Sequence, residues 1–254
     1  MISFSFDSSG LEIALERLAQ ETKTDVGKII KEEAKYLIKT VINFTPPKTR
    51  KQGVGAVRND LGKVAAVLDY NKLKAKATSG GFYRSMAEMV KKRETEKLNK
   101  LLATSKMTFW GGRQIIASYD QLSATHRKMR NSYGRIGKEA NNATYAPEMK
   151  ALRKDTENKI GYAAAGWIPA AKATGAPYKK FAERTGVFGF GNGIVSYNFN
   201  AKDPYFKATN RNIKIPGYQR MIDGAVASRY LTTLKKIKRA MQGKAVNLGF
   251  TRTG

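Results

Sequence analysis

Apolar positions along the chain change period several times, and each change predicts a new element. Ile2, Phe4 and Phe6 alternate with polar residues, the pattern of a short strand with one buried face. Ser9 followed by Glu12 fits a capping box, and Leu11, Ala14, Leu15 and Leu18 form a helical stripe behind it. The polar run "QETKTD" loosens the stripe. It resumes at Val26, Ile29, Ile30, Ala34, Leu37, Ile38 and Val41, as one bent helix or two. Pro46 ends it, because the residue before a proline is pushed out of the helical region. Between 63 and 105 two weak helical patches flank "TSGG", with Leu98, Leu101 and Leu102 able to pack. "FWGGRQIIASYD" reads as a turn and then a strand, and "QLSATHRKMRNSYGRIGK" as a short basic helix or arm.

The second half has clearer punctuation. Pro147 suits the first turn of a helix, with Asn142 or Thr144 upstream as cap candidates. The helix is expected to run to Gly175, with Pro169 kinking or restarting it. Its small residues Ala163, Ala164, Ala165, Gly166, Ala170 and Ala171 let another backbone come close, so it is expected to lie on a sheet with Trp167 as a core anchor. "TGVFGFGNGIVSYNFN" reads as a β-hairpin turning at Asn192-Gly193, with Val195, Tyr197 and Phe199 alternating afterwards. Pro216 opens a last helix whose apolar side holds Tyr218, Met221, Ile222, Ala225 and Leu234. The expected fold is α+β: an antiparallel sheet with a long packed helix, N- and C-terminal helices and extended basic arms. One structural domain over 1–254 is expected, with room for an insertion or extended arm at about 63–140.

Charge changes the picture most. Forty-seven Lys and Arg face 20 Asp and Glu, a formal net charge of +27 and a pI near 10.2. So much like charge repels itself, and a polyanion or an acidic partner surface relieves it. No acid follows Asp223, and between 103 and 137 the only acid is Asp120. The absence of cysteine excludes disulfides, thiolate metal sites and cysteine nucleophiles. "MISFSFDSSG" lacks the basic start and apolar run of a signal peptide, and no apolar run approaches the ~20 residues that span a bilayer. A protein made in the cytoplasm, with no membrane partner, is expected.

Candidate chemistry is sparse. "GFGNG" has the wrong glycine spacing for a dinucleotide loop, and no helix start follows it, so a turn explains it better. His126, the single histidine, lies among Arg127, Lys128 and Arg130 and reads as part of a solvated polar helix. Glu32 and Glu33 diverge around a helix, and Glu94 and Glu96 lie among lysines. No catalytic, metal or cofactor site is expected.

The order of these motifs resembles a known family. "TPPKTRKQG" at 45–53 after an N-terminal helix, with "RNDL" at 58–61, resembles a segment of the minor tail and neck proteins of tailed bacteriophages. The "HR…R…YGRIG" arm, "KIGYAAAGWIPAAKATG", a glycine-rich hairpin and a C-terminal helix follow in the same order. The likeness covers roughly 10–60 and 120–240 and extends to the tail-completion and head–tail connector group. Members of that group often carry an acid and a Thr-Gly pair in the turn after the first helix, and this chain has neither there. The resemblance implies a non-enzymatic virion protein in the tail or neck. It would form a ring of its own copies, meet portal, neck or tail proteins, and line a channel that passes genomic DNA. In that setting "TPPKTRKQG" is a flexible cationic arm that orders against a neighbour or DNA. Lys48, Arg50, Lys51, Arg127, Lys128, Arg130 and Arg135, in acid-poor and turn-rich stretches, are the candidate contacts to DNA or a partner. The alternative is a non-sequence-specific nucleic-acid-binding protein acting on its own.

Overall fold

The computed structural model describes residues 2–5, 26–131, 134–183, 191–199, 205–213 and 216–247. They combine helices and short strands in an α+β arrangement that divides into two units, residues 1–50 with 161–254 and residues 51–160. The expected helix over 11–18 lies outside the described residues, as does the first strand of the expected hairpin at 184–190.

In the first unit, β1 (Ile2–Ser5), β5 (Gly193–Asn198) and β6 (Tyr205–Asn210) form an antiparallel sheet with β6 in the centre. The register sets Ile2 and Gly193 both opposite Asn210. Helix α1 (Val26–Phe44) packs on β6 through the stripe that the sequence shows, burying Ile30, Ala34, Leu37, Ile38, Val41 and Ile42. It stops before Pro46 as expected. The last helix, here α10 (Pro216–Asn247), starts at its proline and adds Ile222 and Ala225 to the same core. Trp167 is fully buried there, as its anchor role requires.

The helix expected over 147–173 is three helices. α7 (Ala146–Asn158) belongs to the second unit, and α8 (Tyr162–Ala165) and α9 (Ile168–Thr174) belong to the first. The break falls at Gly161, whose φ of 88° no helix interior accepts. Pro169 sits in the first turn of α9 and restarts the helix, and Gly175 caps it in the left-handed region.

Of the hairpin expected around Asn192-Gly193, the second strand is present as β5, which begins at Gly193 and pairs with β6. Gly193 also permits a close approach, because a Cβ there would overlap the Gly166 carbonyl. Around it, the Asn210 side chain donates to Ala163 O at 2.8 Å and accepts from Asn212 N at 2.9 Å. The Asn212 side chain donates to Tyr162 O at 2.7 Å and accepts from Asn192 N at 2.9 Å. The buried Asn210 amide and the half-buried Asn212 amide are both satisfied, which fixes the start of β5 against α8.

The second unit has a sheet that the pattern did not reveal. β2 (Ala66–Leu68) and β3 (Gln114–Ile116) each pair in parallel with a central β4 (Asn142–Tyr145). Asn142 and Thr144, expected as caps, are therefore strand residues. The N-cap of α7 is Tyr145, with no side-chain cap bond. Cores lie on both faces. Leu68, Ile115, Ala143 and Tyr145 face one, with Met86, Val90, Leu98 and Leu102 from α4 (Gly81–Lys92) and α5 (Thr95–Thr104). Ile116 faces the other, with Leu61, Val64, Leu122, Met149 and Leu152. α2 (Arg50–Val64), α3 (Tyr70–Lys76) and α6 (Tyr119–Lys128) complete the helices of this unit. The turn over 108–112 and the strand after it match the sequence reading.

Candidate polyanion-binding surface

α6 forms because Ser118 caps it, its Oγ accepting from Gln121 N, and because Leu122 and His126 share one buried face. Arg127 and Lys128 close its last turn, where cations favour the helix dipole. The chain then folds back on itself. Arg130 bridges Ile136, Asn131 N donates to Arg135 O at 2.9 Å, and Arg135 N donates to Asn131 Oδ1 at 3.0 Å. Ile136 is buried in the core below, and Lys63 Nζ of α2 donates to its carbonyl at 3.1 Å. Of the two readings of this stretch, a short basic helix or an arm, the helix is present, and a tied turn follows it. Arg127, Lys128, Arg130 and Arg135 all stand exposed on it. Among the described residues none of them pairs with a carboxylate.

Lys48, Arg50 and Lys51 form a separate group. Lys48 lies in the short connection after α1, and α2 already begins at Arg50. The flexible arm expected at 45–53 is thus a brief turn and the start of a helix. Val54, Val57, Leu61 and Val64 recur at helical spacing and hold α2 down, three of them against its neighbours in the core. The turn itself is tied from within its own unit. Lys179 Nζ donates to Thr45 O at 2.7 Å and Pro47 O at 3.1 Å. Burial, and then the charge of Lys48, push the Lys179 ammonium below its ordinary value. Lys51 is twelve residues before Lys63, about 18 Å along the helix, so it does not join the group at Arg135.

One residue was misread. His126 is not solvated. It is 5% exposed, and its Nε2 has no hydrogen-bond partner. Burial, then the charges of Arg130 and Lys159, push its imidazole down to about 4, so it is neutral at pH 7. The neighbouring cations Arg127, Lys128 and Arg130 were legible in sequence, but its burial was not. Cations are in surplus elsewhere in the chain too, as the acid-free run after Asp223 indicates. Residues 51–160 carry 23 Lys and Arg against 10 Asp and Glu, and 161–254 carry 16 against 3. On α10, Lys235, Lys238 and Arg239 are exposed, while Arg229 and Lys236 turn inward to Glu33 at 2.6 and 2.5 Å. Burial alone would raise the Glu33 carboxyl. The hydrogen bonds and charges of Lys236 and Arg229 outweigh it and hold the group below its ordinary value.

The remaining chemistry is structural. Among the described residues no three His, Asp or Glu side chains come together, and no helix is long and apolar enough to cross a membrane. Comparison with protein-family models, with curated proteins and with solved structures finds no match.

Proposed function

We propose that this chain is a structural protein of a tailed-phage virion, placed at the head–tail junction or in the tail as part of a ring of its own copies. Its exposed basic surfaces meet an anionic partner, foremost the phosphate backbone of the genome. The observation that carries the anionic partner is the group Arg127, Lys128, Arg130 and Arg135. They are four exposed cations on a tied platform, with no carboxylate among the described residues to neutralise them. Cations arranged to satisfy the fold itself look different here, as Arg229 and Lys236 do around Glu33. Contacts of this kind go to phosphates and read no sequence. The phage setting and the ring rest on the motif order from "TPPKTRKQG" to the C-terminal helix. In that setting Lys48, Arg50 and Lys51 face a neighbouring subunit or a portal, neck or tail protein. A non-sequence-specific nucleic-acid-binding protein acting alone would use the same four cations and differs in needing no assembly partner.

Particles assembled without this gene product test the virion role. The expected result is heads and tails that fail to join, or tails left incomplete, with infectivity restored by supplying the protein. Complete infectious virions formed without it would overturn the structural role.

A further inference from the structure

His126 lies in the last turn of α6, one turn beyond Leu122 on the buried face of a helix that packs on α7. A buried polar nitrogen without a partner is costly, on the order of 1–3 kcal/mol, and native folds rarely leave one unexplained. The imidazole cannot relieve the cost by taking a proton, because burial, and then the charges of Arg130 and Lys159, oppose it. Arg130 follows four residues later and Lys159 caps the end of α7; both are exposed. Two carboxylates of α7 are already engaged. Asp155 accepts from the Tyr119 hydroxyl at 2.5 Å, and Glu157 pairs with Arg58 at 3.5 Å. Lys63 of α2 is committed to Ile136 O. What this end of the seam lacks is an anion.

We propose that the end of the α6–α7 seam is a phosphate-binding site, in which Arg130 and Lys159 supply charge and the Nε2–H of His126 supplies a neutral donor. The inference rests on the polyanion reading of the same surface and names the group that would receive a phosphate there. Three donors from three different side chains suit a tetrahedral oxyanion, whose several oxygens can each take one. Charge-assisted bonds of this type are the stronger class of hydrogen bond. The phosphate belongs either to a nucleic-acid backbone or to a small phosphorylated ligand, and the two sources are separable by experiment.

The chain has one histidine, so imidazole NMR of the intact protein gives a single reporter. Its titration is followed alone, with inorganic phosphate, and with a short duplex, while fluorescence anisotropy follows duplex binding separately. Bound phosphate is expected to raise the His126 midpoint from about 4 by a unit or more. Lys159→Ala, at an exposed position, is expected to weaken phosphate binding about fivefold, the effect of losing one charge-assisted contact. His126→Gln, which keeps an N–H donor, should hold phosphate better than His126→Leu. A shift with both ligands supports the site in its DNA-facing role. A shift with phosphate alone supports the site for a small phosphorylated ligand and removes the duplex from this surface. Duplex binding by anisotropy with no movement of the His126 titration by either ligand overturns the site and leaves the polyanion reading intact. No duplex binding and no shift overturn both.

Discussion

Lowering the pH from 7 to 5 should weaken the 51–160 unit through one side chain. His126 is buried and neutral in the fold, with its imidazole at about 4, whereas an unfolded chain would protonate it near its ordinary 6.5. The folded-state value is depressed, so the stabilising contribution is complete above pH 6.5. It is lost as the pH falls toward 4, because only the unfolded chain takes up the proton in that window. The full difference corresponds to about 3 kcal/mol, of which about 2 kcal/mol is gone by pH 5. Urea unfolding at pH 7, 6 and 5 and constant ionic strength measures it, with the fluorescence of Trp110 reporting from the core of the same unit. The comparison protein is His126→Leu, which fits among Leu122 and Leu152 and cannot titrate. Carboxylates such as Glu33 lose stabilisation in both proteins alike, so the difference isolates the histidine. The native chain should lose about 2 kcal/mol more than the variant between pH 7 and 5. Parallel losses in the two proteins, or an imidazole that titrates near 6.5 in the folded state, would refute the reasoning.

Other expectations follow from single contacts. Glu33→Gln removes the charge that Arg229 and Lys236 converge on and should cost about 2 kcal/mol by thermal unfolding. Glu32→Gln, at a side chain 69% exposed, should cost under about 0.5 kcal/mol, and equal losses would show that the buried pairing has no special weight. Gly166→Ala should destabilise by more than about 2 kcal/mol, because its Cβ would overlap the buried Asn210 side chain. Gly62→Ala, in α2 with open space around it, should instead stabilise by up to about 1 kcal/mol. Leu98→Ala, fully buried between α4 and α5, should cost about 3 kcal/mol in a denaturant titration.

Which parts of the fold could be read from sequence follows from where its signals are local. α1 and α10 combine a long apolar stripe with a proline at one boundary, and both are present as expected. The parallel sheet was not legible. "AVL", "QII" and "NATY" are three or four residues long, too short to show an alternation, and the central "NATY" is buried on both faces and loses it altogether. Their partners are also distant, with Ala66 opposite Ala143. α2 was hidden because Gly53, Gly55 and Gly62 dilute its stripe of Val54, Val57, Leu61 and Val64. At Gly193 the glycine has a further cause that no local pattern shows, a close approach to the Gly166 carbonyl. At the candidate surface, the acid-poor run showed that Arg127 to Arg135 would be cationic. It could not show that Ile136 and Asn131 tie the run down, since those contacts depend on a core assembled from α2, α6 and α7.

The most direct measurement is duplex binding against salt, on several unrelated sequences, for the native chain and for a variant with Arg127, Lys128, Arg130 and Arg135 all changed to alanine. If these four cations each neutralise one phosphate, they contribute a slope of roughly 3.6 log units of affinity per tenfold change in salt. The expected result is equal affinity for every sequence, a steep slope for the native chain, and a slope shallower by about that amount in the variant. No binding at low salt, or a native slope that the four substitutions leave unchanged, would contradict a phosphate-facing role for this surface.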